Sequence, residues 1–118
     1  MDAKEMTLIA TELLDEKKAL EVCSIDIADK SGFADYFVMA TGMNTRHLTS
    51  LADDLEERFA KENVFPKNIE GKSASGWILM DYGDLIVNIL TAEMREKYSI
   101  EKLWTDCEMF LCEGAENE

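Results

Sequence analysis

Several things are scarce in this chain, and each scarcity narrows its class. One proline and six glycines in 118 residues leave no material for a linker or a low-complexity arm. No stretch repeats at solenoid or propeller periods. The longest unbroken apolar run, Tyr36 to Ala40, has five residues, too few for a membrane span or a signal-peptide core. The opening Met1-Asp2-Ala3-Lys4-Glu5 is too acidic to read as a transit peptide. Three cysteines, an odd count, fit a reducing compartment better than a secreted disulfide scaffold, so a cytoplasmic protein is expected. With a single histidine, and Cys107 and Cys112 five apart, four nitrogen and sulfur ligands for zinc cannot be assembled. The expectation is neither a metal site nor a cofactor.

Basic residues are also few, 12 Lys+Arg against 25 Asp+Glu, for a net charge of −13. Affinity for nucleic acid rests on Lys and Arg displacing counterions from phosphates, and Lys17-Lys18 is the one adjacent basic pair. Little or no direct RNA binding and no membrane contact are therefore expected. A basic protein is the partner such a surface suits, although acidity of this size also serves solubility alone.

What is present describes a folded domain. Hydrophobic residues make up 47% and charged residues 31%, enough apolar material for one core without staples. A single domain over residues 1–112, followed by an acidic tail at 113–118, is the expected organisation. Asp2 and Glu5 have capping-box spacing, and Met6, Ile9, Ala10 and Leu13 recur at helical spacing, predicting a helix over about residues 3–18. From Leu20 to Ala28 the period changes to two. Cys23, Ile25 and Ile27 face one way and Ser24 and Asp26 the other, a strand with one covered face. Tyr36 to Ala40, apolar throughout, reads as a central strand covered on both sides. Leu48, Leu51, Ala52, Leu55 and Phe59 form the apolar stripe of a second helix, capped by Asn44 and stopped near Asn63.

Further along, Lys67 to Glu70 is a short extended piece closed by Gly71. Trp77 to Tyr82 and Leu85 to Leu90 are strands joined by a Gly83-Asp84 hairpin. A helix over Ala92 to Tyr98 and a helical segment around Ile100 to Trp104 complete the series. The fold class is α/β (α+β), a mixed sheet of four or five strands with helices on both faces.

Enzymatic chemistry finds no complete set of parts. Gly42-Met43-Asn44, between a strand and a helix start, could hold an anion, but no phosphate-loop or dinucleotide motif accompanies it, and a turn that needs glycine is the favoured reading. His47 in the next turn reads as a solvated side chain, and Cys23 as inert packing. Asp81 and Asp84 could approach Mg²⁺, but an i, i+3 spacing around a turn is poorly suited to carboxylates that must reach the same ions. Asn68-Ile69-Glu70 offers one carboxylate where two are needed. The other feature is the hairpin: Ile78 and Met80 on one face, Trp77 and Leu79 on the other, and Tyr82-Gly83-Asp84 at the tip. Aromatic and charged residues at a strand end suit a binding rim, and a core position under a helix suits Trp77 equally well.

Taken together, Ala34-Asp35-Tyr36-Phe37-Val38-Met39-Ala40-Thr41-Gly42, Thr45-Arg46-His47, Ile69-Glu70-Gly71, Gly76-Trp77-Ile78-Leu79-Met80-Asp81-Tyr82-Gly83-Asp84, and Tyr98 with Glu101-Lys102-Leu103-Trp104 resemble the signature of the ribosomal silencing factor (Iojap-like) family. The likeness runs from about Thr7 to Asp106, in order. It implies a nucleotidyltransferase-like fold without catalytic carboxylates, hence no enzyme. It also implies a protein that binds a basic ribosomal protein on the intersubunit face of the large subunit, blocks small-subunit joining and represses translation in slow growth or starvation. The family's contact surface includes the positions of Trp77 and Tyr82, the latter often Leu in the family. Glu70, Asp81 and Asp84 are added here as charge partners for Lys or Arg. The alternatives are a Mg²⁺-dependent nucleotidyltransferase and a biogenesis factor for the large subunit. Monomer and homodimer are both open.

Overall fold

The structure is a computed structural model that describes residues 1–28, 34–98 and 108–110. Helix α1 spans Ala3–Glu16 and starts where the sequence places it: Asp2 Oδ1 accepts from the Glu5 amide at 2.8 Å. Its buried face is turned slightly from the expected stripe and includes Thr7 and Thr11. Threonine tolerates burial here because each hydroxyl donates back along the helix, Thr7 to the Ala3 carbonyl at 2.8 Å and Thr11 to that of Thr7 at 3.0 Å. Helix α2 spans Thr45–Ala60, with Asn44 Oδ1 accepting from the His47 amide at 2.8 Å, and buries Leu48, Leu51, Ala52, Leu55 and Phe59 as the pattern requires. Gly42 permits this helix to approach, since a Cβ there would lie 2.6 Å from Leu48 Cδ2.

The strands are β1 (Leu20–Asp26), β2 (Tyr36–Gly42), β3 (Asn68–Lys72), β4 (Trp77–Asp81), β5 (Leu85–Thr91) and β6 (Glu108–Phe110). They form one mixed sheet in the order β3-β4-β5-β2-β1-β6, parallel only between β2 and β5. The expected five-strand body is therefore present, with the three-residue β6 added at the β1 edge. β3 runs through Gly71 instead of closing on it. The helical segment expected around Ile100 to Trp104 and the acidic tail lie outside the described residues.

One core cluster joins α1 and α2 to Val38, Ala40, Ile78, Met80, Val87 and Ile89. A second, on the other face, gathers Ile25, Phe37, Met39, Ile86 and Leu90, with Met94 of α3 (Ala92–Tyr98) against it. Helices thus cover both faces, unequally. Strand β1 differs from its expected single covered face: Val22, Cys23, Ser24 and Ile25 are all buried. The cause is tertiary, because α1 packs over β1 on one side while Arg95 of α3 reaches it on the other. Glu21, at φ 48°, breaks the β1–β2 register, and its carbonyl accepts from Arg95 Nη1 at 2.6 Å. The same guanidinium donates to Thr41 Oγ1 and Cys23 Sγ, both at 3.1 Å. Cys23 is fully buried, as packing requires, but it is also disulfide-bonded. Burial agrees with the reading of inert packing, while neither the alternation along β1 nor the odd cysteine count carries information about which sulfurs the fold brings together.

Candidate functional site

The β4–β5 hairpin divides its side chains by strand alternation. Ile78 and Met80 point into the core beneath the helices, whereas Trp77 and Leu79 are half-buried on the opposite face against the second cluster. Register sets Glu70 of β3 opposite Leu79, and Leu79 opposite Asn88 of β5, so the three share this face. At the β3 edge, Glu70, Gly71, Ser75, Trp77 and Leu79 line an open groove of about 240 Å³.

Local structure holds the groove in shape. Gly71 has φ +82°, and a Cβ there would come within 2.2 Å of the Trp77 carbonyl oxygen, so β3 can lie against the start of β4 only with glycine at this point. The Trp77 indole does not swing free, because its Nε1 donates to Asn88 Oδ1 at 2.9 Å. An indole fixed in this way presents a large amphipathic surface beside an exposed carboxylate, that of Glu70. The combination suits a basic side chain, whose aliphatic stem can lie along the groove while its charge meets Glu70.

The other expected site residues sort differently. Asp81 is partly exposed and has one oxygen engaged within the turn, Oδ1 accepting from the Gly83 amide at 2.8 Å. Asp84 exposes its side chain at the hairpin tip, while its carbonyl accepts from the amides of Asp35 and Tyr36 at 2.9 and 3.0 Å. Asp81 thus holds the turn through its carboxylate and Asp84 through its backbone. Among the described residues, no group of three or more His, Cys, Asp or Glu side chains is placed to hold a metal ion.

Tyr82 does not share the groove. Its side chain turns to the helix side of the sheet, 7% exposed, with its ring centroid 4.8 Å from that of Phe59. Burial first, and the nearby charge of Glu56 second, push its pKa well above the ordinary tyrosine range. The expectation that Tyr82 forms part of the contact surface is corrected accordingly: alternation from Ile78 through Met80 carries its ring into the core.

Two residues acquire roles that the sequence reading did not assign. Asn88 is the anchor of Trp77, and its signal was a lone polar residue inside the apolar run Leu85 to Leu90. His47, read as a solvated side chain, joins two elements instead. Its Nδ1 accepts from the Met43 amide at 2.9 Å and its Nε2 lies 3.0 Å from the Lys17 carbonyl. Both contacts are satisfied together by the neutral ring protonated on Nε2.

Comparison with known proteins agrees with the motif likeness. The family model described as "Ribosomal silencing factor during starvation" matches residues 1–118. A ribosomal silencing factor of Zymomonas mobilis is 36% identical over 103 residues, 87% of this chain and 77% of that protein. A mouse protein named for mitochondrial assembly of the ribosomal large subunit is 34% identical over 97 residues, and the match spans 79% of this chain but only 42% of the mouse protein. Among solved structures, a protein of Chromobacterium violaceum superposes with a TM-score of 0.84 at 27% identity, over 88% of this chain and 87% of its own.

Proposed function

This chain belongs to the ribosomal silencing factor family, and from that premise we propose that it acts without catalysis, by docking on the large ribosomal subunit and keeping the small subunit from joining. Its partner is a basic ribosomal protein on the intersubunit face, and its setting is the cytoplasm of a cell short of nutrients or growing slowly. The observation that carries the reading is the fixed indole of Trp77 beside the Glu70 groove, on a chain of net charge −13. Aromatic anchors of this kind dominate protein interfaces, and surrounding carboxylates steer a basic partner to them. Asp81 and Asp84 extend the same negative rim toward the hairpin tip.

The direct test is co-sedimentation with purified large subunits. Trp77→Glu should lower the affinity by about 30-fold or more, as loss of a central anchor does, while circular dichroism stays native. Binding should also weaken as salt rises, because exposed charges are screened over about 8 Å at physiological ionic strength. Undiminished binding by Trp77→Glu would remove this face from the interface.

The name of the mouse relative supports a second reading, a factor that guards the same face during assembly of the large subunit. Light scattering of mixed mature subunits separates the two: a silencing factor lowers the yield of joined ribosomes, and a pure assembly factor leaves it unchanged.

A further inference from the structure

We propose that Asn88 is a positioning residue for the Trp77 anchor, retained for docking at a loss to the stability of the fold; this deepens the docking reading above and rests on it. Asn88 is fully buried, flanked in register by Leu79 on β4 and Met39 on β2, in a strand otherwise apolar from Leu85 to Leu90. An indole N–H can only donate, so the amide must present its oxygen to Trp77, as the 2.9 Å contact shows. That choice leaves Nδ2 buried with no acceptor among the described residues. A buried donor without a partner is costly, and leucine, of similar size, would remove it, losing only the acceptor of an indole N–H that belongs to a half-exposed side chain.

The fold therefore keeps a group that weakens it and whose oxygen holds a half-exposed aromatic ring in place. Local rules are broken in this way where a site must be held in shape. Fixing the indole before the partner arrives removes part of the ordering entropy that binding would otherwise have to meet.

Asn88→Leu is the test, read in three ways. Its urea midpoint should equal or exceed that of the wild type, which a merely structural asparagine would not allow. In the free protein, the Trp77 indole N–H (assigned by its absence in Trp77→Phe) should exchange with solvent faster. Affinity for large subunits should fall about fivefold, the worth of one hydrogen bond. In a Trp77→Phe background, where no indole N–H exists, Asn88→Leu should change affinity no further. Unaltered indole exchange, or the same loss of affinity in the Trp77→Phe background, would overturn the proposal. If the leucine crowds its neighbours and the variant unfolds, Asn88→Ala takes its place with the same expected exchange and affinity. Wild-type protein that fails to bind large subunits would overturn the docking reading itself. Normal wild-type binding with normal Asn88→Leu binding would overturn only the role of Asn88.

Discussion

Tyr82→Phe should make this protein more stable and leave its docking unchanged, and both halves of that statement follow from where the ring lies. The phenol is buried against Phe59 on the helix side of the sheet, and its hydroxyl finds no hydrogen-bond partner among the described residues. Phenylalanine keeps the ring contact at 4.8 Å and removes only the oxygen. An unpaired buried hydroxyl costs on the order of 1–3 kcal/mol, so the variant should gain about 1 kcal/mol after small packing losses. For a domain of this length that corresponds to a rise of about 4 °C in Tm.

The difference should also depend on pH, in a known direction. The folded protein raises the pKa of Tyr82, so the folded state holds a proton that the unfolded chain releases above its own pKa of about 10. The contribution linked to that proton is constant below about pH 10 and is lost as pH rises toward the folded value. Wild type should therefore fall behind Tyr82→Phe by a further ~1.4 kcal/mol for each pH unit above about 10. Urea melts of the two proteins at pH 7, 9 and 11 measure this, and the other titrating groups cancel in the difference. A destabilised Tyr82→Phe would show that the hydroxyl has a partner. Weakened subunit binding would show that it reaches the interface, contrary to its burial.

Gly71→Ala meets the Trp77 carbonyl at 2.2 Å and forces alanine to a φ of +82°, so it should cost about 1–3 kcal/mol in a denaturant melt and weaken subunit binding as β4 shifts. Removing the carboxylate that flanks the indole, as in Glu70→Gln, should leave the melt unchanged and reduce the salt dependence of subunit binding, measured by titration at two ionic strengths. His47→Ala loses the contacts that tie α1 to the start of α2 and should lower stability by about 1–2 kcal/mol, with little effect on binding, since His47 is not among the groove residues. A His47→Ala protein with wild-type stability would show that those two contacts contribute nothing net.

Parts of this molecule governed by neighbours in sequence were legible before the structure. The caps Asp2 and Asn44 sit where short polar side chains can accept from amides three residues on, and the α2 stripe follows from the 3.6-residue period. The division of the hairpin into Ile78 with Met80 and Trp77 with Leu79 needed only the two-residue period. Tyr82 was misplaced when its position near the hairpin tip was given more weight than that same alternation. β1 was taken as half-covered because Ser24 and Asp26 look like solvent-facing residues. Nothing local told that α1 would lie over Ser24 or that a guanidinium 74 residues away would bond the Glu21 carbonyl.

By itself the sequence determined the helices α1 to α3, the strands β1 to β5, the buried faces of α2 and of Trp77 to Met80, the acidity of the chain and, through its ordered motifs, the family. Those properties depend on side chains within a few residues of one another or on the chain's total charge. The order of strands, the closure of β1 on both sides, the burial of Tyr82 and the tether between Trp77 and Asn88 were decided only in three dimensions. Each depends on which distant segments meet, and a hydrogen bond between residues eleven apart forms only once β4 and β5 have paired in register.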